Sequence, residues 1–226
     1  MRARSKTWIV VPAFNEEKTI GVVIKGLKKH GWRNIIVIDD GSTDKTGEIA
    51  REQGVIVLRH VINRGLGAAL GTGINAALLL GAEYIVTFDA DNQHFPEDIE
   101  RIVEPLIDNK ADIVVGSRFK KKESRRNVPL KYRIGNLGLN IITFLLFGKW
   151  STDTQSGLRG FTRRAASVIT IRTNRMSVSS EIIAEAKRKK LRIIEVPINI
   201  RYPHQRQGFI SGLRIISRLL LRRIGI

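Results

Sequence analysis

The chain has 226 residues, 42% of them hydrophobic, with 6 Pro, enough for one packed domain with at most a small appendage. It has no cysteine, which excludes disulfides, thiolate metal ligands and a Cys nucleophile and fits an intracellular setting. The formal net charge is +18 and the isoelectric point is near 10.8. Such a balance points to an anionic partner (nucleic acid, anionic lipid or a phosphorylated substrate), with a charged exterior for solubility as the plainer alternative.

The chain enters a strand-like segment almost at once, Trp8–Val11, with no apolar signal region before it. Pro12 is expected to stop that strand. Phe14 can lie against a base or ribose, and Glu16 or Glu17 can accept from ribose hydroxyls or simply begin the helix Glu16–Lys29. A second strand, Asn34–Ile38, runs into Asp39-Asp40-Gly41-Ser42-Thr43-Asp44 and the helix Thr43–Gln53. Ser42 or Thr43 is expected to cap that helix, with Asp44 meeting its dipole. Neither role explains Asp39 and Asp40, where a carboxylate can accept the ring N–H of a nucleobase.

The strand Val55–Leu58 precedes Asn63-Arg64-Gly65-Leu66-Gly67-Ala68-Ala69-Leu70-Gly71 and the helix Leu66–Leu80. A dinucleotide fingerprint needs a small residue where Leu70 stands, so that reading is rejected, and the glycines are expected to let the helix approach a sheet closely. Next comes Tyr84–Phe88, followed directly by Asp89-Ala90-Asp91-Asn92-Gln93. Two carboxylates one residue apart at the end of a buried strand can converge on a hard divalent cation, Mg2+ or Mn2+, with Gln93 offering a neutral oxygen on the same side. The helix Pro96–Asp108, with Pro96 in its first turn, leads to the strand Asp112–Val115.

Strands alternating with helices imply an α/β fold with a mainly parallel central sheet covered on both faces, whose ligands bind beyond the carboxyl ends of the strands. After Gly116 the pattern changes. Phe119–Asn127 is a basic loop, and Tyr132–Phe147 is an apolar stretch too short and too polar for a membrane span. Leu158–Phe161 and Leu191–Pro197 read as further strands around a helix, Glu181–Lys190. In the tail Phe209–Ile226, Arg214, Arg218 and Arg222 recur every four residues beside an apolar face of Phe209, Leu213, Ile216 and Leu220. That pattern suits a helix lying in a membrane interface, or one packed on the domain with its arginines in water. The expected organisation is therefore a domain over residues 1–208, including an interfacial segment at about 130–148, and a basic amphipathic helix over 209–226.

PAFNEE at Pro12–Glu17, VIDDGSTDKT at Val37–Thr46, NRGLGAAL at Asn63–Leu70, DADNQH at Asp89–His94, VVGSRF at Val114–Phe119, TDTQSGLRGF at Thr152–Phe161 and EVPI at Glu195–Ile198 together cover nearly the whole chain. As a set they closely resemble glycosyltransferase family 2, and within it the polyprenyl-phosphate sugar synthases of the dolichyl-phosphate mannose and glucose type. The resemblance implies a GT-A nucleotide-sugar-binding fold and a GDP-mannose or UDP-hexose donor. It also implies a metal at Asp89, Asp91 and Gln93, and a donor site that includes Ala90 between the two carboxylates. Pro12, Phe14, Glu16, Ile38 and Asp40 would surround the nucleoside. Arg118 and Arg133 match positions that hold an acceptor phosphate, while Arg206 matches an arginine that reaches the donor diphosphate, with Arg175 in support. The stretch Arg206-Gln-Gly208-Phe-Ile-Ser211-Gly212 departs from the family pattern by placing Gly212 where a Lys is the rule.

A lipid phosphate is already anionic at neutral pH, so sugar transfer to it needs alignment and charge neutralisation more than a strong base. A single displacement would invert the sugar carbon. A family 2 enzyme extending a saccharide would instead need a base, for which Asp153 is the candidate. For Arg118 the plainer fate is a pair with a nearby carboxylate. A nucleic-acid-binding module would account for the charge but leave Asp89 and Asp91 unexplained, so no nucleic-acid partner is expected. The implied setting is peripheral, on the cytoplasmic face of an anionic membrane, alone or with a membrane partner subunit.

Overall fold

The computed structural model describes residues 2–120, 152–174 and 178–201. A short helix α1 (Arg2–Ser5) precedes strand β1 (Thr7–Ala13) and helix α2 (Ile20–Lys29). Then follow β2 (Ile35–Asp39), α3 (Thr46–Glu52), β3 (Ile56–Arg59), α4 (Leu66–Leu79), β4 (Tyr84–Thr87), α5 (Asp98–Ile107) and β5 (Ile113–Ser117). The second part contributes β6 (Arg159–Thr162), α6 (Arg163–Val168), α7 (Val178–Arg188) and β7 (Ile193–Pro197). The interfacial segment at 130–148, the tail helix, and Arg133, Arg175 and Arg206 lie outside the described residues.

The strands form one sheet in the order β3-β2-β1-β4-β6-β5-β7. Every pairing is parallel except those of β6, which runs antiparallel to both β4 and β5. The expected mainly parallel sheet is therefore present, with one reversed strand. Alternation within β1 shows how both faces are covered. Ile9 and Val11 pack with Ile20, Ile24 and Leu27 of α2 and Ile99 and Ile102 of α5. Val10 packs on the other face with Leu70 and Ile74 of α4, near Ile182 of α7. A strand flanked on two faces has no polar side to present, which is why β1, β2 and β5 read as continuous apolar runs.

The glycines expected to bring α4 close to the sheet do not do so: a Cβ on Gly67 would strike the backbone at Thr173, and Gly71 has nothing within 4 Å. The close approach is at Gly73, two residues past that stretch, where a Cβ would overlap Val10. From β1 the chain builds outward through β2 to β3, then crosses by α4 to β4 on the other side of β1. The strand order reverses at β1: its pairing with β2 runs on to Ala13 and Asp39, whereas its pairing with β4 stops at Val10, the kind of place where sheets of this class leave a ligand crevice.

Four further local expectations need correction. Pro12 does not stop β1: it pairs in register with Ile38, and the strand continues to Ala13. The reason lies in the direction of its missing donor. Ile9 donates to Asn34 and Ala13 accepts from Asp40, so odd residues face β2, whereas Val10 accepts from Phe88 and even residues face β4. Pairing with β4 ends at Val10, so the side of Pro12 that lacks a donor faces no registered partner, while its pairing with β2 is kept. Second, α2 starts at Ile20, not Glu16, because Asn15 turns the chain with φ 54° and the Glu16 amide bonds the Thr46 hydroxyl instead. Third, α3 starts at Thr46 behind Lys45, which makes no side-chain cap. Ser42 does not cap it either, since its hydroxyl accepts from the Asn15 amide at 3.0 Å. Asp44 does serve that end, accepting from the Thr46 amide at 3.0 Å. Fourth, Pro96 lies ahead of α5, which begins at Asp98.

Candidate active site

The β1–α2 and β2–α3 turns are clipped together at the crevice. Besides the Ser42 contact, Asn15 Oδ1 accepts from the Thr43 amide at 2.9 Å, and the Glu17 amide bonds Asp44 at 3.2 Å. Burial opposes ionisation of Asp44, but the bonds from Thr46 and Glu17 hold its carboxyl below the usual value. This clipping leaves Phe14 44% exposed and the Glu16 carboxylate accepting from Thr19 Oγ1 at 2.8 Å.

Asp39 and Asp40 separate by side. Asp39 is buried, accepts from the Ser42 amide at 2.9 Å, and lies against Gly47 at the start of α3, where a Cβ would strike it. It serves the turn and the helix. Asp40 faces the opposite way: it accepts from the amides of Arg64 and Gly65 at 3.0 and 2.7 Å and contacts His60 Nδ1 at 2.6 Å. Ile38, expected near the nucleoside, has no exposed surface. Its side chain belongs to the core beneath α4.

Beyond β4, Asp89 and Asp91 keep partial exposure while Ala90 between them is buried, so both carboxylates stand on the open side. Asp89 is held from three directions. His94 Nε2 lies 3.1 Å from its Oδ2, Gly157 leaves it room that a Cβ would fill, and the fully buried Arg159 supplies a nearby charge. Burial would raise the Asp89 carboxyl, but the hydrogen bond and charge of His94, then the charges of Arg159 and Arg118, hold it below the usual carboxylate value. Burial pulls the Arg159 guanidinium down to about 10 against the attraction of Asp89 and Asp153, leaving it charged at neutral pH. Asp91 accepts from Gln93 Nε2 at 2.6 Å and from the Gln93 amide at 3.1 Å. Gln93 thus turns its amide nitrogen to Asp91, and its oxygen is the atom left for a cation.

The loop entering β6 completes the floor. Asp153 is fully buried and binds Arg118 Nε and Nη2 at 2.6 Å each, with the Arg118 amide at 3.1 Å. The carboxylate pairing that is the plainer fate of a loop arginine is what the structure places there. It also engages both oxygens of the fully buried Asp153, the candidate base for a sugar hydroxyl. Glu195 of β7 ties down the same loop by accepting from the Thr152 amide and hydroxyl at 2.8 and 2.5 Å. Buried atoms of this loop without a hydrogen-bond partner include Gln155 Oε1 and Nε2, Ser156 Oγ and Arg159 Nε, the kind of group that a ligand or water completes.

Reasoning from residue types did not single out His94, Arg159, Glu195 or His60. Three of them lie inside the quoted motifs, so their presence was visible. Their partners were not: the charge of Arg159 reaches Asp89 and Asp153 only because β6 is reversed, and Glu195 meets Thr152 from 43 residues away.

No group of three or more His, Asp or Glu side chains converges on a metal position among the described residues. Two oxygen-donor side chains, held firmly but partly open, instead suit Mg2+ or Mn2+ completed by substrate phosphates and water. The seat that Gly157 leaves for Asp89 and the Gln93 clamp on Asp91 fit such an ion.

A mostly parallel sheet with helices on both faces, whose strand order reverses beside acidic strand ends and clipped turns, is an α/β fold of the GT-A type. The chain belongs to glycosyl transferase family 2, whose family model matches residues 8–170, and it is a glycosyltransferase. It is 49% identical to an uncharacterized protein of Methanocaldococcus jannaschii over 98% of this chain and 93% of the relative. It is 40% identical to the UDP-N-acetylglucosamine–dolichyl-phosphate N-acetylglucosaminyltransferase of Methanococcus voltae, over 96% of each chain. A polyprenol monophosphomannose synthase of Mycolicibacterium smegmatis is 30% identical over 72% of this chain and 64% of its own length. These names support the resemblance to polyprenyl-phosphate sugar synthases. The fold matches glucosyl-3-phosphoglycerate synthase from Mycobacterium tuberculosis, solved with Mn2+, UDP and phosphoglyceric acid. The TM-score is 0.74 at 21% identity, over 100% of this chain and 81% of that one.

Proposed function

We propose that the protein transfers a hexose from a nucleoside-diphosphate sugar to a polyprenyl phosphate, with inversion, at the surface of a membrane. The observation that carries this reading is the pairing of an open Asp89–Asp91 site with an occupied Asp153. The site has groups to stabilise a leaving diphosphate, and its candidate base is locked to Arg118. An acceptor that is already anionic fits that combination, and a neutral sugar hydroxyl does not. The M. voltae relative supports a UDP-sugar donor, with UDP-N-acetylglucosamine ahead of UDP-glucose and GDP-mannose.

Asp89, Asp91 and the Gln93 oxygen would hold Mg2+ or Mn2+, which when bound supplies positive charge to the departing diphosphate. The protein's own part is positional. Pro12, Phe14, Glu16 and Asp40 receive the nucleoside, while Arg118 and Arg133 neutralise the acceptor phosphate, with Arg175 and Arg206 toward the donor. Arg118 is presented for this by Asp153, which fixes its guanidinium plane. Among the described residues no helix is long and apolar enough to cross a membrane. The basic residues beyond Lys120 and the segment 209–226 would bring the enzyme to an anionic cytoplasmic surface.

The test is a transfer assay with UDP-N-acetylglucosamine, UDP-glucose and GDP-mannose, each with and without polyprenyl phosphate and with a free saccharide as competing acceptor. Sugar appearing in the lipid fraction only when polyprenyl phosphate is present supports the reading. Transfer to the saccharide at equal rate overturns it.

A further inference from the structure

We infer that His60 is the positioning residue for nucleobase recognition, aiming the Asp40 carboxylate through a buried relay that also anchors α4. The inference rests on the nucleotide-sugar reading above and deepens it.

His60 is the first residue past β3, and its amide bonds the Asp39 carbonyl at 2.9 Å, so its backbone is tied to the end of β2. Its side chain is 9% exposed, and Asp40 is 3% exposed. Nδ1 lies 2.6 Å from Asp40 Oδ1, and Nε2 lies 3.0 Å from the Thr72 hydroxyl on α4. An ionised carboxylate only accepts, so Nδ1 carries the proton; Nε2 then accepts from Thr72 in the neutral ring. The tautomer follows from the partners.

Asp40 therefore receives donors from two directions. The ring of His60 and the Arg64 amide reach Oδ1, and the Gly65 amide reaches Oδ2. Each carboxylate oxygen has two acceptor directions, so Oδ1 is filled and Oδ2 keeps one. A nearly buried carboxylate with one acceptor direction suits a single ring N–H, as uracil and guanine both offer. The direction of that lone pair is set by the torsion of Asp40, and His60 is the side chain that fixes it. Thr72 in turn fixes the plane of the ring, so α4 and the base-reading oxygen share one frame. Asp89 and Asp91 follow the end of β4, on the other side of β1 from this relay. Base affinity and diphosphate affinity should therefore respond separately to changes at His60.

Isothermal titration of the whole chain with UDP, GDP and pyrophosphate, each with Mn2+, tests this in the wild type, His60→Ala, His60→Asn and Thr72→Val. His60→Ala should weaken the nucleotide that the wild type binds by about tenfold, the usual effect of a lost charge-assisted contact. Pyrophosphate should stay within about twofold. His60→Asn keeps an N–H near the Nδ1 position and should restore most of the nucleotide affinity, a rescue that simple loss of packing would not give. Equal losses for nucleotide and pyrophosphate, or no loss for either, would overturn the role. If His60→Ala does not fold, Thr72→Val decides. It should weaken the nucleotide alone by about threefold, and unchanged nucleotide binding overturns the proposal. A wild type that binds pyrophosphate but neither UDP nor GDP would overturn the nucleotide-sugar reading itself.

Discussion

Gly157→Ala is the sharpest single probe of the proposed cation site. Gly157 needs no left-handed backbone, and a Cβ there would overlap both oxygens of Asp89. The Gly157 carbonyl also accepts from Thr87 Oγ1 at 2.7 Å, so the loop is pinned to β4 and cannot easily retreat. Asp89 must move instead, and it loses the 3.1 Å contact with His94. A hydrogen bond to a charged group contributes about 1.5–3 kcal/mol. Disturbing the support of a metal ligand typically costs about 10- to 100-fold in affinity. The expected outcome is a Mn2+ dissociation constant, read by titration, raised into that range with transfer falling in parallel. Gly160→Ala is the matched control: its Cβ would strike Ile102 and Leu106 in the core. It should lower stability by about 1–3 kcal/mol through overpacking while leaving Mn2+ affinity alone. Wild-type Mn2+ affinity in Gly157→Ala would refute the assignment of Asp89 to the cation.

Asp91→Ala should reduce transfer by at least about a hundredfold, and EDTA should stop the wild type until Mg2+ or Mn2+ is restored; full activity in EDTA would remove the cation from the reaction. Arg118→Ala removes the bidentate guanidinium contact from the buried Asp153 and should destabilise the fold by about 3–5 kcal/mol, measured by urea unfolding. The double change Arg118→Met, Asp153→Leu should recover stability without recovering transfer, separating the fold's use of Arg118 from the proposed reaction's. Hydrogen bonds from Arg192 hold the Asp112 carboxyl below the usual value of 3.8, against the opposing effect of burial. A depressed carboxylate contributes stability that is fully present above its unfolded value and lost as pH falls through the folded one. Arg192→Met should therefore be less stable than wild type at pH 7. The two acid-unfolding curves should converge below pH 3.8, and a constant offset down to pH 2 would contradict the linkage.

Most of the sheet was legible because its strands are short, apolar and β-branched, and helical periodicity follows each. The misplacements were at junctions. The starts of α2 and α3 depend on Asn15, Ser42 and Thr46 meeting across two loops, and local capping rules do not see a partner about thirty residues away. Pro12 reads as a breaker in isolation, yet is tolerated because β4 pairing has ended beside it. The six-residue helix α6 is too short for periodicity to reveal.

The active site was legible as motifs but not as a network, and the reason is β6. A four-residue run such as Leu158–Phe161 carries no mark of its direction in its sequence. Its insertion between β4 and β5, antiparallel to both, brings the loop ahead of it back to the catalytic end of the sheet. Gly157 then lies under Asp89, the Arg159 charge stands between Asp89 and Asp153, and Asp153 faces Arg118. Were β6 parallel, the same loop would emerge at the opposite end of the sheet, and Asp89 would lose both its seat and the buried charge of Arg159. One reversed strand thus joins the half of the chain proposed to read the nucleotide to the half proposed to meet the acceptor. It also makes Asp153, the one carboxylate suggested as a base, a structural partner of arginine.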